Sequence, residues 1–131
     1  MEDEQIRLAK LERSRRPVAM VHVGMYTYAN PAFLQLLGYE RFAELEGIPV
    51  LDMVVERHRD RLREHFSEVA SERKSLREQP KTKITLIKRD GSHLVALLAS
   101  QCMRFAGEET IEISLLTRND ITSRNILLGL P

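Results

Sequence analysis

The chain has 131 residues, 43% of them hydrophobic and 30% charged, with a formal net charge of +1. This is enough for one globular domain, and it argues against a disordered chain or a nucleic-acid binder of the usual basic kind. The longest uninterrupted apolar run, Leu94–Ala99, is far short of the roughly 20 residues a membrane span needs. The N-terminal stretch MEDEQIRLAK is acidic and polar, unlike a signal peptide. A single cysteine, Cys102, rules out a disulfide framework or a multi-cysteine zinc site. Together these features point to a cytoplasmic module. With no Trp, three Tyr and four Phe, its core must be largely aliphatic.

Residues 1–16 are charge-dense. Ile6, Leu8 and Leu11 are their only large apolar side chains, and Leu8 and Leu11 share one side of a helix. A docked amphipathic helix and a frayed arm are both compatible with this pattern, and Pro17 ends it. From Val18 the period changes. VAMVHV and MYTYA, separated by Gly24, read as two strands of a tight hairpin. Asn30-Pro31 then reads as a helix start, with Asn as cap and Pro in the first turn. The short apolar helix that follows carries Phe33, Leu34, Leu36 and Leu37 and stops at Gly38. Tyr39 to Glu46 reads as a second short helical piece.

Asp52 to Gln79 carries the longest helical signal. Val55, Leu62, Phe66, Val69 and Leu76 form one stripe, opposite Arg57, Asp60, Arg61, Glu64, Glu68 and Glu72. Pro80 closes it. Three strands are predicted beyond: Thr82 to Arg89, Ser92 to Phe105 and Thr110 to Thr117. Asp90-Gly91 joins the first two as a hairpin turn in which both residues tolerate positive φ, and Ala106-Gly107-Glu108 joins the last two. Two hairpins flanking a helical insert imply an α+β arrangement, one antiparallel sheet with helices on a single face.

This order of elements resembles the PAS domain family over residues 17–122. The residues that carry the likeness are YANPAFLQLLGY (Tyr28 to Tyr39), ELEGIPVLDMV (Glu44 to Val54), KRDGS (Lys88 to Ser92) and Asp120-Ile121-Thr122. The resemblance implies the PAS fold: a five-stranded antiparallel sheet in the order 2-1-5-4-3, cupped by a helical insert. Residues 1–16 would then be an N-terminal helix or arm, and 123–131 the start of a C-terminal linker. YANPAFLQLLGY is also similar to PAS modules that precede GGDEF and EAL domains of cyclic-di-GMP signalling proteins. The implied role is non-catalytic sensing and signal relay in a larger bacterial protein. No output domain fits into 131 residues, so the chain reads as a fragment whose output domain lies in the same polypeptide.

PAS domains bind haem, flavin or small metabolites, and each leaves a different residue signature. At 100° per residue, His58 and His65 lie about 40° and 60° to one side of Leu62, at the edge of the apolar stripe. Leu62 itself stands where a haem-binding relative has its axial histidine. A photoactive flavin domain has a reactive cysteine in the helical insert, but here that region reads GIPVLDMV. Both cofactors are therefore disfavoured, and the cofactor stays unassigned. A small-ligand pocket would be lined by Phe33, Leu36, Leu37, Leu45, Met53, His58, Leu62 and Phe66, unless these side chains simply fill the core. Lys88, Arg89 and Arg104 are the strand-borne cations available to a charged ligand. No phosphate loop, catalytic triad or metal-ligand spacing supports an enzyme.

The fourth strand is apolar on both faces, with Leu94, Ala96 and Leu98 on one and Val95, Leu97 and Ala99 on the other. The insert can cover only one face, so the second needs another cover. The expectation is a homodimer that uses Ile6, Leu8, Leu11, Val95, Leu97 and Ala99. The alternative is a monomer whose own N-terminal helix folds back.

Overall fold

A computed structural model of the chain describes residues 2–71 and 81–117. Helix α1 (Glu2–Arg13) leads into strands β1 (Val18–His22) and β2 (Met25–Ala29), followed by helix α2 (Pro31–Leu37). Three short 3-10 turns, Phe42–Glu44, Val50–Met53 and Glu56–His58, precede helix α3 (Arg59–Ser71). Strands β3 (Lys81–Ile87), β4 (His93–Phe105) and β5 (Glu108–Thr117) complete a five-stranded antiparallel sheet in the order β2-β1-β5-β4-β3. The architecture is α+β, as the sequence implied. Leu76 and residues 72–79 of the predicted long helix lie outside the described residues, as do Asp120-Ile121-Thr122 and the linker 123–131.

Pairing fixes the two faces. Ile113 stands opposite Ala19 and Ser100, and Ile84 opposite Ala96, so these side chains share the inner face. Met20, Glu112, Gln101 and Tyr28 share the outer face. On the inner side Phe33, Leu37, Leu45, Met53 and Leu62 pack against Ile84, Leu98, Ile113 and Leu115, each no more than 4% exposed. On the outer side α1 lies across β1 and β5. Arg7 pairs with Glu112, Glu4 accepts the Ala106 N–H, and Tyr28 Oη donates to Glu12 at 2.5 Å. Leu8 and Leu11 are half-buried, and Met20 is fully covered. In the described chain, then, residues 2–13 form a docked helix rather than an arm.

Asn30 does more than cap. Its Oδ1 accepts from the Phe33 N–H at 2.9 Å, as the Asn-Pro pattern predicts, and from Val18 N–H at 3.0 Å. Its Nδ2 donates to the Leu11 and Arg16 carbonyls, both at 2.9 Å. One fully buried amide thus fastens the end of α1, the start of β1 and the first turn of α2. Gly38, at φ 87°, ends α2, and the Tyr39 N–H reaches back to the Leu34 carbonyl at 2.8 Å.

Two helical expectations need correction. Residues 39–46 hold only the 3-10 turn Phe42–Glu44. The Glu44 carboxylate accepts the N–H groups of Glu40 and Arg41 at 2.9 and 3.2 Å, which stabilises a tight turn instead of a continuing helix. The long helix begins at Arg59, not Asp52. Met53, Val54 and Val55 are all buried, and three consecutive buried residues cannot share one helical stripe. Val54 is extended and bridges Leu86, and Val55 N–H donates to the Thr85 carbonyl at 3.0 Å. This segment closes the edge of β3, as residues 47–50 close the edge of β2 through Tyr26 N–H to Ile48 O at 3.1 Å and Val50 N–H to Gly24 O at 2.9 Å.

The turns also differ from expectation. Asp90-Gly91 is not a two-residue turn with both φ positive. Lys88 N–H bonds the Ser92 carbonyl at 2.8 Å around Arg89-Asp90-Gly91, and only Gly91 has positive φ. Asp90 Oδ1 accepts the Ser92 N–H at 2.8 Å and selects this form. The positive-φ pairs are Val23-Gly24 (48° and 76°) and Ala106-Gly107 (51° and 80°).

Candidate functional site

Among the described residues, the inner face of the sheet is longer than the helices that cover it. Among the described residues, strand β3 pairs with His93–Ala99, and Ser100–Phe105 of β4 run past it. Alternation puts Ser100, Cys102 and Arg104 on the same inner face as Ala96 and Leu98. There α3, β4, β5, β1 and the Val23-Gly24 turn enclose a half-open cavity of about 570 Å³. Its wall is mostly apolar, from Val21, Phe66, Met103 and Ile111. Its polar lining residues are His22, Arg104, Glu109, Thr110 and Cys102. The volume falls within the range of small-molecule sites.

Each polar group is positioned by backbone. His22 Nδ1–H donates to the Glu109 carbonyl at 2.7 Å, and its Nε2 lies 3.5 Å from the Glu108 carboxylate. Arg104 stands directly opposite Glu109 in the β4–β5 register. Its Nη2 donates to the Gly107 carbonyl at 3.1 Å. The Cys102 thiol donates to the Val69 carbonyl at 3.5 Å. Deeper in, His65 is 4% exposed, and its Nε2 lies 2.8 Å from Ser100 Oγ, joining α3 to β4. Burial holds its pKa below the ordinary 6.5.

Of the residues expected to line a pocket, Phe66 lines this cavity. Phe33, Leu37, Leu45, Met53 and Leu62 are packed into the core, and Leu36 is half-buried against it. His58 is not on the long helix. It lies in the turn Glu56–His58 at the edge of the sheet, where its Nδ1 accepts the Thr85 N–H at 3.0 Å. The ring's burial and the neighbouring Arg61, Arg57 and Lys83 charges lower its pKa. Among the strand cations, Arg89 pairs with Glu44 at 3.0 Å, Lys88 is half-buried and Arg104 lines the cavity. Val21, Ile111 and Glu109 were missed. The available signal was the unequal length of the two predicted strands, which leaves the far end of β4 without a β3 neighbour.

Of the two histidines singled out in the sequence as haem-ligand candidates, His65 is held by Ser100 and His58 by a sheet edge, and Leu62 is fully buried. Cys102, which is on β4 and outside the helical insert, does not fit the flavin-reactive position. Among the described residues no three His, Cys, Asp or Glu side chains gather as a metal site, and no helix is long and apolar enough to cross a membrane.

The PAS fold family model matches residues 8–121. The chain belongs to the PAS family. The PAS domain of an HTR-like protein from Haloarcula marismortui superposes with a TM-score of 0.69 at 20% identity, covering 88% of this chain and 93% of that one. A PAS domain from a two-component sensor histidine kinase gives 0.70 at 11% identity, with 90% and 100% covered. An RNA-binding light-oxygen-voltage receptor gives 0.68 at 18% identity, with 95% of this chain and 36% of that one covered. At these identities the likeness concerns the fold. No curated protein matches the chain.

Among the candidates for a dimer interface, Val95, Leu97 and Ala99 of this PAS domain are all on the outer sheet face. Val95 is 47% exposed, Leu97 half-buried and Ala99 1% exposed. Ile6 on α1 is 53% exposed.

Proposed function

We propose that this PAS domain is a non-catalytic sensory and relay module whose signal is a small molecule bound in the inner-face cavity. The observation that carries this reading is the contrast between a helical wall packed to within 4% exposure and a cavity of about 570 Å³ at the far end of the same sheet face. Close-packed interiors leave few voids of that size without a use. Occupancy would be felt by β1, β4, β5 and α3 together, and β1 is tied through Asn30 to α1. A relay of this kind requires ligand to favour one of two arrangements of those elements.

We further propose a homodimer, a cytoplasmic location and an output domain in the same polypeptide, with residues 17–122 as the PAS unit between a helical arm and a linker. The similarity of YANPAFLQLLGY to PAS modules before GGDEF and EAL domains is what supports an output of that kind. Exposed Val95 and Ile6 support a second copy as cover for the part of the outer face that α1 leaves open. A native mass spectrum of freshly purified protein tests both ideas. The expected result is a dimer carrying an added small-molecule mass, and Val95→Glu should halve the assembly. A bare chain would argue against the ligand, and a monomer against the dimer.

A further inference from the structure

We infer that the edge of β3 is a docking surface for a partner protein, and that it takes an extended acidic segment. Four cations meet at this edge. Lys81 and Lys83 are both exposed on the outer face, opposite Ala99 and Leu97. Their strand spacing sets them about 7 Å apart. The Thr85 N–H donates to His58 Nδ1 at 3.0 Å, which holds the turn Glu56–His58, and Arg57 with it, against the same edge. Arg61, in the first turn of α3, reaches across and donates to the Lys83 carbonyl at 2.7 Å. A guanidinium has five N–H donors in a fixed fork, so Arg61 keeps donors for a carboxylate. Arg57 and Arg61 are exposed as well. Arg61, Arg57 and Lys83 stand near enough to His58 that, after burial of the ring, their charges lower its pKa.

Among the described residues no carboxylate pairs with any of the four. Asp60 is paired with Arg63 instead. The whole chain carries a net charge of only +1, so this edge is a local concentration of like charges that repel one another. An incoming anion relieves that repulsion. The layout selects the shape of the anion. Alternate carboxylates on one face of an extended segment have the same spacing as Lys81 and Lys83. A compact anion would touch only some of four groups that span a strand, a turn and a helix. A nucleic acid would meet the same cations, but the chain lacks the broad basic excess that such binders carry.

Isothermal titration of the full chain at low salt tests the inference with four probes: a capped Glu-Thr-Glu-Thr-Glu peptide, its Gln-Thr-Gln-Thr-Gln counterpart, inorganic triphosphate and oligothymidylate. Charge-assisted hydrogen bonds lead to an expected preference for the acidic peptide of about tenfold or more over the amide peptide. That preference should shrink as salt rises to about 0.5 M. Lys81→Gln combined with Lys83→Gln should weaken acidic-peptide binding about tenfold, and Arg57→Gln alone about threefold. All three residues are exposed, so the variants keep the core intact. In the complex the His58 ring, followed by NMR, should titrate at a higher pH than in the free protein, because the carboxylates offset the cations around it. Equal binding of the two peptides would overturn the inference, as would unchanged affinity in the lysine variant or a His58 titration unmoved by bound peptide. Triphosphate that matches the acidic peptide would replace the extended segment with a compact anion, and oligothymidylate that exceeds it would replace the partner protein with a nucleic acid. Either result overturns the proposal, and so does the binding of no probe.

Discussion

Replacing Tyr26 by phenylalanine is expected to stabilise the protein, against the usual sign for a core substitution. Tyr26 is 1% exposed, and its ring meets Phe33 edge-on at 5.8 Å and 61°. Its hydroxyl is fully buried, with no hydrogen-bond partner among the described residues. A buried polar group left without a partner costs about 1–3 kcal/mol. The phenyl ring keeps the Phe33 contact and fills the same site, so Tyr26→Phe should gain about 1–2 kcal/mol. For a domain of this size that raises the melting temperature by about 5 °C. In urea the midpoint should rise with an unchanged slope. The hydroxyl supplies a second readout. Burial, and then the neighbouring Tyr39, push its pKa well above the ordinary 10.0. The fold therefore favours the neutral phenol. That contribution is intact below pH 10.0 and is lost as pH rises from there toward the folded value. Tyr28 is raised in the same direction by burial and by its bond to Glu12, so its alkaline loss persists in the variant. Tyr26→Phe should lose less stability than the parent between about pH 9 and 11. A variant that melts lower, or keeps the parent's alkaline slope, would refute the argument by showing that the hydroxyl is hydrogen-bonded in the native protein.

Asn30→Ala removes four hydrogen bonds and leaves the Val18 and Phe33 N–H groups unpaired in the core, an expected loss of about 3–5 kcal/mol by chemical denaturation. Asn30→Asp keeps the two accepting bonds and loses the two donating ones, so hydrogen exchange should rise at Leu11–Arg16 first; uniform exchange across the domain would count against the hub. His65 has a lowered pKa, so its stabilising contribution is present above pH 6.5 and is lost as pH falls from there toward the lower folded value. His65→Gln should flatten the acid limb of the stability curve, and an unchanged limb would remove His65 from the account. Val23 is a β-branched residue held at φ 48° and is 84% exposed. Val23→Asn creates the Asn-Gly pair that such turns favour and should raise stability by about 1 kcal/mol in thermal melts; a drop would mean that the valine side chain is needed at the turn.

The features legible in the sequence were those with local causes. Alternation in Thr82–Ile87 and Thr110–Thr117 assigned strands and their faces, because side chains in a strand point to opposite sides in turn. Asn30-Pro31 and Gly38 bounded α2, since capping is decided by a few neighbouring atoms. The apolar set Phe33, Leu37, Leu45, Met53 and Leu62 was identifiable as interior-facing, though not whether it lined a pocket or filled the core. Tertiary contacts decided that. They also decided that Met53–His58 abandon helix to close the edge of β3, because the Thr85 N–H and carbonyl require partners from another part of the chain. The Asp-Gly turn rule failed for a related reason: Asp90 bonded to Ser92 and the loop took three residues, while Val23-Gly24 and Ala106-Gly107 accepted positive φ to keep their strands in register. Composition and periodicity thus determined one aliphatic α+β domain with a two-faced sheet, because burial and pleating act residue by residue. Only the assembled fold decided that Arg104 and Glu109, on separate strands and opposite each other through the β4–β5 register, line one cavity, because that meeting depends on pairing between strands.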